Sequence, residues 1–204
     1  MPKLSTDSFL PLAITNIRLG TALDDCSAHK VKDTFDRSGA SELFVYDDHN
    51  LGYTDWVDTE PEFKSKCFIA KNQNGSTIVL LPLDGRTITG PNVIKGGVCD
   101  GMLLTEKEMT FIEFKTDVVS NNYETIVQRA NEATGQLWHT YDGIVKPRCA
   151  KLSKDIDNLL SMDFYVVFDK ELEVTGANSR LMDMQNQFLE DNKHLLYFEN
   201  EKVF

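Results

Sequence analysis

The sequence predicts one α/β (α+β) domain, a mixed sheet flanked by helices, and three observations carry that prediction. Short apolar runs rich in β-branched and aromatic residues recur along the chain: I-V-L-L at 78–81, F-I-E-F at 111–114 and F-Y-V-V-F at 164–168. Two stretches, 121–144 and 179–191, repeat apolar residues at helical spacing. Strands and helices interleave, with no internal repeat and no low-complexity tract, which favours a layered domain. At 204 residues and 41% hydrophobic, the chain can bury a full-sized core. The expected organisation is a single domain over 1–204, with an N-terminal elaboration carrying one helix (1–65), a core (66–170) and a C-terminal helix with a closing strand (171–204).

Leu23, Ser27, Val31 and Phe35 recur every fourth residue, so a helix is expected to end near Arg37-Ser38-Gly39. The segment 42–62 holds one short strand, around E-L-F-V-Y, followed by an acidic, turn-rich loop. Residues 66–83 read as two strands around Asn74-Gly75, the dipeptide of a tight hairpin. A glycine-rich connection, 84–97, leads to V-C-D-G-M-L-L (98–104) and F-I-E-F-K (111–115). Tyr123, Ile126, Val127, Ala130, Ala133, Leu137, Tyr141 and Ile144 then line one face of a long helix lying on the sheet. Residues 164–168 form a buried strand, 179–191 a second amphipathic helix, and H-L-L-Y-F-E (194–199) a closing strand.

No apolar run approaches the roughly 20 residues of a membrane span. The start has no short apolar core followed by a cleavage site, so a soluble cytoplasmic protein is expected. Four scattered cysteines suggest neither a disulfide framework nor a ribbon-type zinc site. The net charge of −11 argues against holding nucleic acid by bulk electrostatics. A polyanion would have to meet a basic partner or a local patch, and Lys146, Arg148, Lys151 and Lys154 are the densest run of cations; such a run is also the ordinary composition of a solvated loop.

Two opposite charges interrupt F-I-E-F-K. In a strand, Phe111, Glu113 and Lys115 share one face, and Ile112 and Phe114 the other. A hairpin over T-E-K-E that sets Leu104 opposite Met109 brings Asp100 directly across from Glu113. Carboxylates so placed, with Cβ atoms roughly 4.5–5.5 Å apart, repel unless a cation lies between them. Two hard oxygens from different strands, with waters, suit Mg²⁺ or Mn²⁺. Lys115 is placed to orient a water or to stabilise phosphate charge. Gly96, Gly97 and Gly101 add room beside Asp100 for a ligand to approach.

The order Asp100, then Glu113-Phe114-Lys115 on the next strand, resembles the D…ExK signature of the PD-(D/E)XK nuclease superfamily. G-G-V-C-D-G-M-L-L before it and the long helix after it fit the same pattern. Gln136 and Tyr141 on that helix resemble the glutamine and tyrosine of the exonuclease-like branch. The resemblance covers roughly 75–170 and implies a restriction-endonuclease-like core in α-β-β-β-α-β order. It also implies a metal-dependent nuclease acting on DNA: Asp100, Glu113 and the Phe114 carbonyl hold Mg²⁺ (or Mn²⁺), and Lys115 and Gln136 are catalytic. Tyr141, Lys146 and Arg148 would then meet the substrate, with help from a basic protein partner or a second copy. Relatives carry an acidic residue on the helix before the first core strand; residues 1–41 contain no glutamate, leaving Asp24, Asp25, Asp33 and Asp36 as substitutes. The rival reading is a non-catalytic acidic scaffold that keeps the fold.

Overall fold

The computed structural model describes residues 15–26, 31, 34–90, 95–173 and 175–204. It is a mixed α+β structure with two mixed sheets flanked by helices. The larger sheet runs β1 (Asp36–Ser38), β5 (Ile78–Pro82), β6 (Gly101–Leu104), β7 (Glu108–Lys115), β8 (Ser161–Phe168) and β9 (Leu195–Tyr197). Its first four strands are antiparallel to their neighbours, and β7, β8 and β9 are parallel. The smaller sheet runs β10 (Glu201–Val203), β4 (Phe68–Lys71), β2 (Glu42–Asp48) and β3 (Tyr53–Val57).

The helices are α1 (Leu19–Leu23), α2 (Tyr123–Trp138), α3 (Lys146–Lys151) and α4 (Asn178–Asn192), with a π-helical turn, His139–Val145, joining α2 to α3. The Asn122 side chain caps α2 by accepting from the N–H groups of Glu124 and Thr125. Alternation along β7 divides the core. Met109 and Phe111 pack with Ala130, Leu137 and Tyr141 on the helix side, whereas Ile112 and Phe114 pack with Phe68 and Leu43 between the sheets. Strand β7 is therefore paired on both edges and covered on both faces, so its polar residues Thr110, Glu113 and Lys115 are buried along with its apolar ones.

Three expectations are corrected. The described part of the N-terminal helix is confined to Leu19–Leu23; 27–30 and 32–33 lie outside the described residues, and Asp36–Ser38 is strand β1, paired with β5. Backbone pairing along an open strand edge outweighs the weak four-residue spacing there. The strands around Asn74-Gly75 do not pair with each other: β4 joins the small sheet and β5 the large one. A turn does form, with Gly75 at φ 63° and the Asn72 side chain bonded to both N–H and C=O of Ser76. It delivers Phe68 and Ala70 face to face against Ile78 and Leu80, so burial between layers replaces a ladder. The acidic loop expected after β2 contains β3, whose Thr54 and Trp56 turn inward.

Among the described residues no helix is long and apolar enough to cross a membrane. All four cysteines are free and buried.

Candidate active site

The β6–β7 hairpin has the even register that the two carboxylates require. Glu106 and Lys107 form its two-residue turn, Thr105 N–H donates to the Glu108 carbonyl at 3.0 Å, and Leu104 lies opposite Met109. The pairing continues to Gly101 opposite Ile112, so the next step brings Asp100 to Glu113. Asp100 is anchored there twice: Leu83 N–H donates to its carbonyl at 2.9 Å, and Phe114 N–H donates to its Oδ2 at 2.6 Å. Phe114 thus meets Asp100 through its amide, on the strand that carries Glu113.

Glu113 and Lys115 share the helix-facing side of β7. Glu113 Oε1 accepts from Lys115 Nζ at 2.5 Å, and the same Nζ donates to Gln136 Oε1 on α2 at 3.0 Å. Both charged side chains are buried, at 2% and 8% exposure, so this is not a solvated surface pair of little consequence. Glu113 Oε2 is buried and has no partner. Burial, opposed by Lys115 and more weakly by the Asp100 N–H, pushes the Glu113 carboxyl up to about 7. Burial together with the Glu113 charge pushes Asp100 well above the usual carboxylate range, against the pull of the Phe114 N–H.

The loop before Asp100 is wrapped on α2 and the π turn. Thr140 Oγ1 donates to the Gln136 carbonyl and accepts from Cys99 N–H, each at 2.8 Å, fixing the residue immediately before the aspartate. Gly97, at φ +87°, lies where a Cβ would come within 2.7 Å of Gln136 Cγ, and a Cβ on Gly96 would touch the His139 ring. The room expected at Gly96, Gly97 and Gly101 is therefore filled by the protein's own Gln136, His139 and Thr54 side chains. These glycines let elements of the fold approach one another and do not open space for a ligand.

Asp100, Glu113, Phe114, Lys115 and Gln136 come together; Tyr141, Lys146 and Arg148 do not join them. Tyr141 is fully buried against Phe111, Phe164 and Trp138, and its hydroxyl donates to Asp157 in a short hydrogen bond. Lys146 pairs with Asp157 at 2.8 Å and Arg148 with Asp25 at 3.3 Å, so the expected basic rim is neutralised by local carboxylates. Asp25 is thereby engaged away from the site, Asp36 accepts from Trp56 Nε1 at 3.1 Å, and Asp33 lies outside the described residues. The charges that do act on the pair are Asp47 at the end of β2, on Asp100, and Asp84 after β5, on Glu113. Burial raises the Asp47 carboxyl, with Asp84, Asp48 and Asp117 adding to the rise. Y-D-D at the end of an apolar strand was the only trace of this in the sequence, and it is too common a pattern to select.

Among the described residues no group of three or more His, Cys, Asp or Glu side chains could hold a metal ion. A cation here would take Asp100 and Glu113, with water completing its shell, a donor set that suits Mg²⁺ or Mn²⁺ and is poor for zinc. The unpartnered Glu113 Oε2 fits that requirement. Comparisons with protein-family models, with curated proteins and with solved structures found no match to this chain.

Proposed function

We propose that this protein is a metal-dependent nuclease that hydrolyses phosphodiester bonds in DNA, with Asp100, Glu113, Lys115 and Gln136 as its working residues. One observation carries the reading: a buried carboxylate oxygen, Glu113 Oε2, has no donor although it stands beside a second carboxylate. A fold gains nothing from two enclosed acids whose charges oppose each other, and the arrangement becomes favourable once a divalent cation is shared between them. Bound at Asp100 and Glu113, Mg²⁺ or Mn²⁺ would supply Lewis acidity toward a phosphoryl oxygen and a lowered pKa for water.

The remaining work belongs to the chain. Phe114 N–H holds Asp100 in place on the edge of β7. The Lys115 ammonium donates one hydrogen bond to Gln136 Oε1 and a second to Glu113 Oε1, leaving its third N–H to donate to an attacking water or to a phosphate oxygen gaining charge. Because Gln136 is itself packed under Gly97, the ammonium is positioned before substrate arrives.

The test is cleavage of labelled single-stranded DNA, duplex DNA and RNA in Mn²⁺ and in EDTA, by the wild type and by Glu113→Gln. Cleavage that requires both metal and Glu113 is expected. Absence of cleavage in every lane, with melting indifferent to Mn²⁺, would refute the nuclease and favour the acidic scaffold, which the net charge of −11 supports.

A further inference from the structure

Strand β2 outruns one of its neighbours in the small sheet. It pairs with β4 only from Glu42 to Val45, whereas its pairing with β3 continues to Asp48. Beside Tyr46, Asp47 and Asp48 the chain before β4 runs instead through a turn closed by Lys66 N–H on the Phe63 carbonyl, and a groove of about 320 Å³ takes the place of a strand. The groove lies on the outer face of the small sheet and along this open edge, and none of Asp100, Glu113, Lys115 and Gln136 lines it.

Its walls are aromatic and acidic. The Tyr46 and Phe63 rings meet edge to face with centroids 4.9 Å apart, and Phe63 leaves 43% of its surface exposed. Of the carboxylates that line it, Asp117 is held by Arg129 through hydrogen bonds of 2.8 and 3.1 Å. Asp47 and Asp48 have no lysine or arginine partner among the described residues. His49 Nδ1 lies 3.3 Å from Asp47, and Asp48 Oδ1 accepts the N–H groups of Asn50 and Leu51. Lys66 adds one cation to the lining. Burial, with neighbouring carboxylates adding to it, raises the Asp47 carboxyl, so the negative charge here is poorly balanced.

The same face shows what it accepts. Lys64 Nζ lies 5.7 Å from the centre of the Phe44 ring on β2, and the Arg86 guanidinium 4.5 Å from that of Tyr53 on β3. Rings of this face thus take cations where the chain supplies them, and among the described residues none lies over Phe63. Carboxylates oppose a phosphate, and an apolar side chain would leave them unanswered. An arginine instead lays its planar cation on the exposed Phe63 ring and directs its N–H groups to Asp47 and Asp48. An extended segment carrying it also meets the edge of 46–48 that β4 does not cover. We infer that the groove between Tyr46 and Phe63 docks an extended basic segment of a partner protein, with an arginine seated between Phe63 and the Asp47 and Asp48 carboxylates. This goes beyond the nuclease reading and does not depend on it. In a chain of net charge −11 whose Lys146 and Arg148 are paired internally, such a partner would supply positive charge that the surface lacks.

The experiment titrates a short fluorescein-labelled peptide of alternating arginine and threonine by anisotropy, in EDTA at about 150 mM salt, where distant surface charges are largely screened. A second peptide carries citrulline in place of arginine, which keeps the length and planarity of the side chain and removes its charge. Wild type is compared with Phe63→Ala, Phe63→Trp, the pair Asp47→Asn with Asp48→Asn, and the pair Glu190→Gln with Asp191→Asn, after melting curves confirm that each is folded. The last pair removes the same charge from α4, which packs on the helix side of the large sheet, away from the small one. The wild type should bind the arginine peptide at least tenfold more tightly than the citrulline peptide. Phe63→Ala should weaken binding about fivefold, the loss of one cation–π contact, and Phe63→Trp should keep it. Neutralising Asp47 and Asp48 should weaken it about tenfold, and the α4 pair less than twofold. No binding of the arginine peptide, equal binding of the citrulline peptide, or unchanged affinity in Phe63→Ala would each overturn the docking site. Equal losses from the two charge pairs would overturn it too, by reducing it to attraction by the net charge. If Phe63→Ala does not fold, the comparison of the two charge pairs decides. No metal or nucleic acid is present, so this result and Glu113-dependent cleavage stand or fall separately.

Discussion

Raising the pH in the absence of metal should weaken the fold through Glu113. Its carboxyl titrates at about 7 in the folded protein against 4.5 for an ordinary glutamate. The folded state therefore holds a proton that the unfolded chain has already released. Stability from this group is fully present below pH 4.5 and is lost as the pH rises through about 7. A separation of about 2.5 pH units, at about 1.4 kcal/mol each, makes the loss about 3–4 kcal/mol. For a chain of this size that is about 6–16 °C in Tm. Asp100, also raised, works in the same direction. The assay is thermal melting in EDTA from pH 5 to pH 8.5, comparing the slope of Tm against pH in wild type and Glu113→Gln. Glutamine carries no charge at any pH and its amide oxygen can still accept from Lys115, so the variant's curve should start near that of the wild type at pH 5 and fall less steeply. Mn²⁺ at pH 8 should restore the wild type by roughly RT ln(1 + [Mn²⁺]/Kd) and leave the variant where it was. Parallel slopes for the two proteins in EDTA would refute the claim that a buried, unbalanced carboxylate sits at Glu113.

Two further substitutions test how the site is held and how the sheets are joined. Thr140→Val should leave the Cys99 N–H buried without an acceptor and cost about 1–3 kcal/mol in urea melts, with Mn²⁺ stabilisation reduced; Thr140→Ser should recover both. Lys202, 8% exposed, reaches from β10 to Asp163 on β8 at 2.5 Å, Thr110 at 3.0 Å and Glu108 at 3.3 Å on β7. Lys202→Met should destabilise by about 3–5 kcal/mol, and adding Asp163→Asn should return part of the loss, because the cost is the charge left behind.

The part of the fold most legible in the sequence was the part whose pairing is local. The T-E-K-E turn and the alternation of F-I-E-F-K fix a register within sixteen residues, and Asp100 lies where that register puts it. Gln136 was reachable because helical spacing sets which side of α2 it lies on, and it meets Lys115. Layering was not legible. Asn74-Gly75 encodes a reversal, but whether the second strand pairs with the first or crosses to another sheet depends on β1 and β6, which take both edges of β5. Asp157 and Asp25 likewise decide the fate of Lys146 and Arg148, and the Asp25 contact spans 123 residues of chain. Asp47 belongs to the same class, a strand-end acid brought to Asp100 by the stacking of one sheet on the other.

Strand β10 pairs in parallel with β4, and Lys71 meets Glu201 across a separation of 130 residues. During synthesis β4 must therefore wait, with one edge open, until nearly everything after it has left the ribosome. The aspartate at 163 waits with it, for the only lysine that reaches it among the described residues. Such an interval favours wrong partners over right ones, since an unpaired strand edge is a template for any other. Before Lys202 is seated, the faces of the two sheets are joined by apolar contact and by the hydrogen bond from Trp56 on β3 to Asp36 on β1; Lys202 adds a second polar tie at the opposite end of the small sheet.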